Sequence, residues 1–355
     1  MSWKVMSARK FPEWAAKWQA LNDRGEKTAL LDVRFIAPLL EAFGTGRELL
    51  AVKGDPDAPS AMAILQSMGF GRFETFQPSQ APLGAWVSDA ANAPSEAVLA
   101  GLLRRLPGVA VSCGITQIDP EFFARPATTS RLQTLDYIRT AHVPVTGTFE
   151  EYWGARGQNL KKNHRRRRHR LADSGIAPRL ERVTEAAAMA KAVAEYGALE
   201  SKGWKAGSGT AVAADNAQGR FYTRMLEAFA ATGEAVVYRY WYGDRLAASD
   251  LCIIRDGVLI ILKTTYDEDL AETSPAMLMR EEEFAEIFRS GTVRRIEFYG
   301  KVMDWHTKWT AESRVMYHVT AFRWAFAPRL LAHFKKAKAE QATTPVAEAP
   351  LQKEG

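Results

Sequence analysis

Residues 235–265 read AVVYRYWYGDRLAASDLCIIRDGVLIILKTT. Three apolar runs, at 235–241, 246–254 and 258–265, are rich in Val, Ile, Leu and Tyr, which suit a pleated, half-buried surface. Gly243-Asp244 and Asp256-Gly257 separate the runs, and such pairs supply the positive φ of a tight hairpin. The stretch predicts a three-strand antiparallel meander. Ser274-Pro275 follows, an N-cap residue and then proline at the first helical position. Met277, Phe284, Ile287 and Phe288 share one helical face, and Gly291 ends the run. Strands are expected at 295–298 and 314–322, with a short helical element between them. The result is a mixed α/β order of meander, helix, strand, turn and strand.

Upstream, the first half repeats this order more loosely. A helix is expected at 33–43, strands at 48–52 and 61–66, a loop at 89–95, a helix at 96–106 and a strand at 110–118. No residue-level repeat accompanies the repeated order, so a structural duplication is an expectation from element order alone. The 355 residues are long for one core and suit two domains, with boundaries expected at 1–145 and 146–330. The last 25 residues, with two prolines and no periodic apolar pattern, read as a disordered tail over 331–355.

Apolar residues make up 47% and charged residues 25%, a globular composition. No apolar run approaches the ~18 residues of a membrane span. The opening MSWKVMSARKFPEW contains no apolar core of a secretory leader. Cys113 and Cys252 lie far apart in apolar surroundings and read as buried thiols, so a cytoplasmic location is expected. A peripheral membrane contact stays open, and oligomeric state is not legible.

Charge is concentrated in one place. Residues 161–170, KKNHRRRRHR, hold seven Lys and Arg; taking these from the formal net of +6 leaves the rest of the chain at −1. Thr148 and Glu151 form a capping box ahead of this run. Asn159 is positioned to cap the basic helix, which stops at Gly175. Leu160 and Leu171 are eleven residues apart, three turns, with Asn163, His164 and Arg167 between them on the same face. A helix so charged needs counter-ions. Three sources compete: acidic side chains of the same protein, a nucleic acid, or a phosphate of a substrate or anionic lipid. No RNP-like strand, helix-turn-helix signature or zinc-ligand spacing supports the nucleic acid.

Four stretches together resemble the GNAT-like acyltransferase domain of the FemAB-related group and of cellulose-biosynthesis-associated (CelD-like) acetyltransferases. They are LKKNHRRRRHRL at 160–171, ESKGWKAGSGT at 200–210, Tyr266-Asp267-Glu268 followed by Ser274-Pro275, and DWHTKW at 304–309. The resemblance spans roughly residues 146–322. It implies two tandem GNAT-like domains, each a mixed twisted sheet flanked by helices, with the first more degenerate. It implies an N-acyltransferase that moves an acyl group, acetyl first of all, from acyl-CoA to a small-molecule or cell-envelope amine by direct attack, with no metal. Two other readings stay open: FemAB-like peptidyl transfer from aminoacyl-tRNA, and a non-catalytic module that binds anionic lipid or nucleic acid.

Site residues follow from the resemblance. Glu200 or Asp267 would be the base, with Tyr266 beside it. Thr265, Ser274, Ala276, Met277, Leu278 and Lys308 would face acetyl-CoA, because a helix N-terminus presents unpaired N–H groups to phosphate. Asn163, Arg166, Arg167, Trp204, Lys205 and Asp304 would meet the acceptor. The family's phosphate loop is glycine-rich; the equivalent residues 268–277 contain no glycine. Each residue also has a plainer reading: an ordinary capped helix at Ser274, a surface glutamate at 200, a polar strand end at 266–268. His306 reads as an exposed loop histidine.

Overall fold

The computed structural model describes residues 2–202, 212–213 and 215–328. The first-half strands are β1 (Trp3–Ser7), β2 (Leu49–Gly54), β3 (Pro59–Ser67), β4 (Arg72–Thr75), β5 (Trp86–Ser88), β6 (Ser112–Ile118) and β7 (Leu132–Pro144). The second-half strands are β8 (Pro178–Val183), β9 (Ala235–Tyr242), β10 (Arg245–Arg255), β11 (Val258–Tyr266), β12 (Arg295–Glu297) and β13 (Ser313–Phe322). The helices are α1 (Phe11–Arg24), α2 (Val33–Phe43), α3 (Glu96–Leu103), α4 (Phe149–Gly154), α5 (Gln158–Asp173), α6 (Ala186–Glu200), α7 (Ala217–Ala230) and α8 (Pro275–Ser290). The meander forms as its turns dictate: Gly243, Asp256 and Gly257 all adopt positive φ.

The strands make one mixed sheet in the order β1-β2-β3-β4-β6-β13-β7-β12-β11-β10-β9-β8, with β5 paired to β3 off this path. Read inward from each edge, the halves match. Four antiparallel strands lead to one parallel pair, β4 with β6 in the first half and β11 with β12 in the second. A helix, α3 or α8, lies in each crossover. The duplication expected from element order is thus present in the topology.

The final strands are exchanged. β7, which ends the first half, pairs with β12, and β13, which ends the second, pairs with β6. β7 and β13 pair with each other at the centre. A cut at 145/146 therefore does not separate two sheets, since β13 from the later residues completes the earlier sheet. Buried charges fasten this seam. Arg314 on β13 bonds Asp119 at 2.8 Å and Glu297 at 3.1 Å. Arg295 bonds Glu121 at 2.6 and 2.9 Å, and the Tyr299 hydroxyl donates to Asp119 at 3.0 Å. Burial raises the Glu297 carboxyl to about 7 against the pull of these arginines.

One core runs through both halves on one sheet face, beneath α1, α2, α6 and α7. Phe35 of α2 meets Phe221 of α7 edge to face, with centroids 5.3 Å apart. On the opposite face, α3 covers the first half and α8 the second. Two helix limits differ from expectation. α3 stops at Leu103, because Arg105 N–H bonds Leu102 O and Pro107 disfavours helix at the residue before it. α5 starts at Gln158 with Gly157 at the N-cap and no side-chain cap, so Asn159 does not have that role. The capping box of Thr148 and Glu151 is present, and Gly175 has φ of +68°.

Candidate active site

β11 and β12 are paired only over Val258–Ile260 and Arg295–Glu297. Beyond Ile260 they part, and two local features separate them. In β11 the pairing with β10 steps from Leu251↔Lys263 to Cys252↔Ile261, leaving Leu262 as the extra residue of a β-bulge. β12 ends at once, with Tyr299 at φ +49° before Gly300. The bulge also resets the alternation of side chains. Lys263 faces α6, where it meets Glu200, and Thr264 faces α8, where it meets Arg280. The gap between the strands is consequently flanked on both sheet faces.

On the α8 face lies a cavity of about 370 Å³. Thr264, Tyr266, Ala271, Ser274, Ala276, Met277, Arg280 and Trp305 line it. Arg280 is its buried charge. It pairs with Asp250, lies 3.2 Å from Glu283 and donates to the Thr264 hydroxyl at 2.9 Å. Burial opposes the guanidinium charge, but Asp250 and Glu283 hold it and raise its pKa. Burial first, and the neighbouring Asp250 with it, drives the Glu283 carboxyl well above its usual range despite Arg280. Asp250, Cys252 and Glu283 bring ligand atoms within 4.8 Å of one another, a set a metal ion could use. Arg280 already supplies positive charge there, and burial pushes the Cys252 thiol well up, away from the thiolate a metal needs.

On the α6–α7 face a cavity of about 590 Å³ lies between the halves. Its walls are the 77–82 loop of the first half and Glu200, Gln218, Tyr222, Lys263, Tyr299 and Gly300 of the second. Glu200 is 2% exposed. Its carboxylate lies 3.1 Å from Lys263 Nζ and accepts the Val212 N–H at 2.8 Å. Burial, reinforced by Glu200, raises the Tyr222 hydroxyl. A buried carboxylate facing an ammonium can accept a proton on one side while the cation polarises an oxygen on the other.

Of the residues expected at the donor, Tyr266, Ser274, Ala276 and Met277 meet in the first cavity. Thr265 and Leu278 do not: Leu278 is fully buried in the α8 core, and Thr265 lies on the other side of its strand from Thr264. The α8 N-terminus offers fewer donors than expected. Ser274 is left-handed, φ +48°, and its carbonyl accepts the N–H groups of Met277 at 3.0 Å and Leu278 at 3.3 Å. Its hydroxyl turns back to Ala271 O at 3.2 Å instead of capping the helix. Lys308 and Asp304 are exposed and line neither cavity.

Asp267 is committed elsewhere. Its buried carboxylate takes Arg245 at 2.7 Å and the Asp269 N–H at 3.2 Å, capping the 3-10 helix Glu268–Thr273. Asn163, Arg166 and Arg167 sit on α5 and line neither cavity. Trp204 and Lys205 lie outside the described residues, as do the glycines at 203, 207 and 209 and the 331–355 tail. His306 is buried, not exposed. It accepts the Met303 N–H at 2.9 Å, and burial lowers its pKa to about 4. Sequence reading missed Lys263 and Arg280. Lys263 had a signal: it is the one charge in the otherwise apolar run VLIILKTTY. Arg280 had only its place on the apolar side of a helix.

Residues 158–307 match the family model described as an acetyltransferase (GNAT) domain. No curated protein sequence matches the chain. Among solved structures, it is similar to a C-terminal domain assigned to lysylphosphatidylglycerol synthetase in Agrobacterium fabrum. There the TM-score is 0.58 at 12% identity, covering 92% of this chain and 96% of that one. It is similar to L-PGS from Bacillus licheniformis, with TM-score 0.51 at 12% identity over 90% and 96% of the two chains. FemX gives 0.53 at 9% identity over 94% and 99%. At these identities the likeness is one of fold. The chain has a GNAT acyltransferase fold, and the matched domain runs from α5 through the β11–β12 gap to the turn at His306.

Proposed function

We propose that this protein is an N-acyltransferase that passes an acyl group, acetyl first of all, from acyl-CoA to an amine by direct attack. The carrying observation is the gap between β11 and β12, with a cavity on each face and the Glu200–Lys263 pair at one side. A donor thioester entering from the α8 side would reach an amine entering from the side between the halves, and holding them together supplies much of the rate. The amine nitrogen would bond to the acyl carbon, its proton would pass to Glu200, and the C–S bond would break, the leaving thiolate taking up a proton so that the thiol departs and Glu200 is returned to its carboxylate. Lys263 would stabilise the negative oxygen. In this reading residues 146–330 form the transferase domain and 1–145 its degenerate counterpart, locked together by the exchanged strands. Kinship with the cellulose-biosynthesis-associated enzymes, a cell-envelope acceptor and a cytoplasmic location belong to the same proposal.

Isothermal titration with acetyl-CoA tests it. Binding is expected in the wild type and should be lost when Met277→Arg fills the α8-side cavity. No heat of binding at millimolar donor in the wild type would sink the proposal. A second reading rests on the α8 N-terminus, where Pro275 has no N–H and the Met277 N–H already bonds Ser274 O. That is a thin cradle for a diphosphate, and it favours a donor such as aminoacyl-tRNA, held by its backbone outside the cavity. Transfer from charged tRNA with no acetyl-CoA binding would establish this reading.

A further inference from the structure

Three loops meet at one end of the first-half sheet. The ends of β4, β6 and β13 are neighbours there, with Arg72 opposite Ser112 and Ser112 opposite Phe322. Val111 N–H bonds Gly71 O at 2.6 Å, and Arg323 N–H bonds Val111 O at 2.9 Å. The loops 67–72, 104–111 and 323–328 therefore form one surface.

That surface is apolar at its tips. Phe70 is 95% exposed, Val109 67% and Phe326 61%, joined by Met68 and Trp324. Single exposed apolar residues need no explanation, but a cluster of five does. Phe70 is also held there at some cost. Gly69, Phe70 and Gly71 all have positive φ, +77°, +52° and +69°. A bulky side chain rarely adopts that conformation. Gly71 is required, because a Cβ on it would lie 2.2 Å from Val109 O. The tight turn thus fixes Phe70 outward. Trp324 and Phe326 are stacked, with centroids 5.8 Å apart, and Arg323 lies over Trp324.

The charge is one-sided. The three loops read SMGFGR, RRLPGVAV and RWAFAP, with Arg72, Arg104, Arg105 and Arg323 and no Asp or Glu. Aromatic tips on loops that also carry four arginines suit the headgroup layer of an anionic bilayer, where rings enter the interface and guanidiniums meet lipid phosphate. A second copy of the same face fits poorly, since four arginines would oppose four.

We propose that this end of the sheet is a peripheral docking surface for an anionic membrane, inserting Phe70 and Phe326 and pairing Arg104 and Arg105 with lipid headgroups. It stands apart from the transfer chemistry and from the α5 arginines.

The test is co-sedimentation of the full chain with vesicles of phosphatidylcholine alone or mixed equally with phosphatidylglycerol. The wild type is expected to bind only the anionic vesicles, less well as salt rises. Arg104→Gln/Arg105→Gln should weaken binding about thirtyfold, from about fivefold per arginine. Phe70→Ser/Phe326→Ser should weaken it at least tenfold. All four positions are exposed, so unchanged thermal unfolding verifies folding in each variant. No binding to anionic vesicles overturns the proposal. So does wild-type affinity in the Phe70→Ser/Phe326→Ser variant, or loss on Arg165→Gln/Arg166→Gln in α5 while the loop variants still bind. A dimer in sedimentation equilibrium that Phe70→Ser abolishes, with no vesicle binding, would assign the face to self-association and overturn it too.

Discussion

Replacing Arg280 with Met removes, among the described residues, the cation paired with Asp250 and Glu283 while keeping much of the side-chain volume. Both carboxyls are fully buried, and Glu283 is already pushed well above its usual range by burial. Breaking a buried pair by removing one partner costs about 3–5 kcal/mol, because the other charge stays buried. The lost bond to Thr264 adds about 1 kcal/mol. Domains of this kind have about 5–15 kcal/mol in total, so the variant should fold but weakly at neutral pH. The loss should depend on pH. Without Arg280 the Glu283 carboxyl, already raised by burial, rises further above its unfolded value, so the folded state binds more protons than the unfolded. The variant's deficit then grows as pH rises from about 5 toward 8, by up to about 1.4 kcal/mol per pH unit for the Glu283 carboxyl. Urea unfolding of Arg280→Met and wild type at the two ends of that range measures it. A loss below about 1 kcal/mol, or one equal at both pH values, would refute the reading of Arg280 as the compensating charge. Arg280→Met/Glu283→Gln should recover part of the loss.

Glu26 is buried, with one carboxylate oxygen bonded to the Ser88 N–H at 3.2 Å and the other without a partner among the described residues. Burial raises its pKa to about 8. Wild-type stability should therefore fall as pH rises from about 4.5 to about 8, and Glu26→Gln should flatten that slope in pH-dependent urea titrations, leaving the part due to Glu297 and Glu283. Glu200→Gln should lower kcat about 10²–10⁴-fold with KM for the donor little changed, read by steady-state kinetics. Asp267→Asn should leave kcat near wild type and lower the melting temperature, since its carboxylate serves Arg245 and a turn; a hundredfold loss of kcat would return it to the mechanism.

The second half was legible because its signals are local. The meander shows turn chemistry at Gly243 and Asp256-Gly257, and α8 is bracketed by Pro275 and Gly291. The first half hid more. β7 carries Gln133, Asp136 and Arg139 among its apolar residues, because it is central in hydrogen bonding yet partly open on its faces. No alternation marks such a strand. Nor can any local pattern disclose that β13 crosses into the earlier sheet; that depends on pairing across about 200 residues, Phe322 with Ser112. The site divides in the same way. Tyr266, Ala276 and Met277 could be grouped from sequence because they cluster at a strand end and a helix start, and they line one cavity. Lys263 and Arg280 were missed because their partners, Glu200 and Asp250, are distant in the chain.

The basic run at 161–170 is the clearest case of a strong sequence signal with an incomplete meaning. Its counter-ions are on α8, where Glu281 and Glu282 face α5, while Glu286 of the same helix faces Arg182 of β8. Arg168 reaches Glu282 at 2.7 Å and Glu281 at 3.1 Å, His164 reaches Glu281 at 2.6 Å, and Arg182 reaches Glu286 at 2.9 Å. The arginine helix thus braces the outer side of α8, the helix that contributes Ala276, Met277 and Arg280 to the α8-side cavity. Its remaining cations stay exposed, Lys162, Arg165, Arg166 and Arg170 among them. They cannot contribute much to folding at a solvated surface. Ion pairing thus accounts for the part of the run that faces α8, while the outward part forms a solvated cationic face.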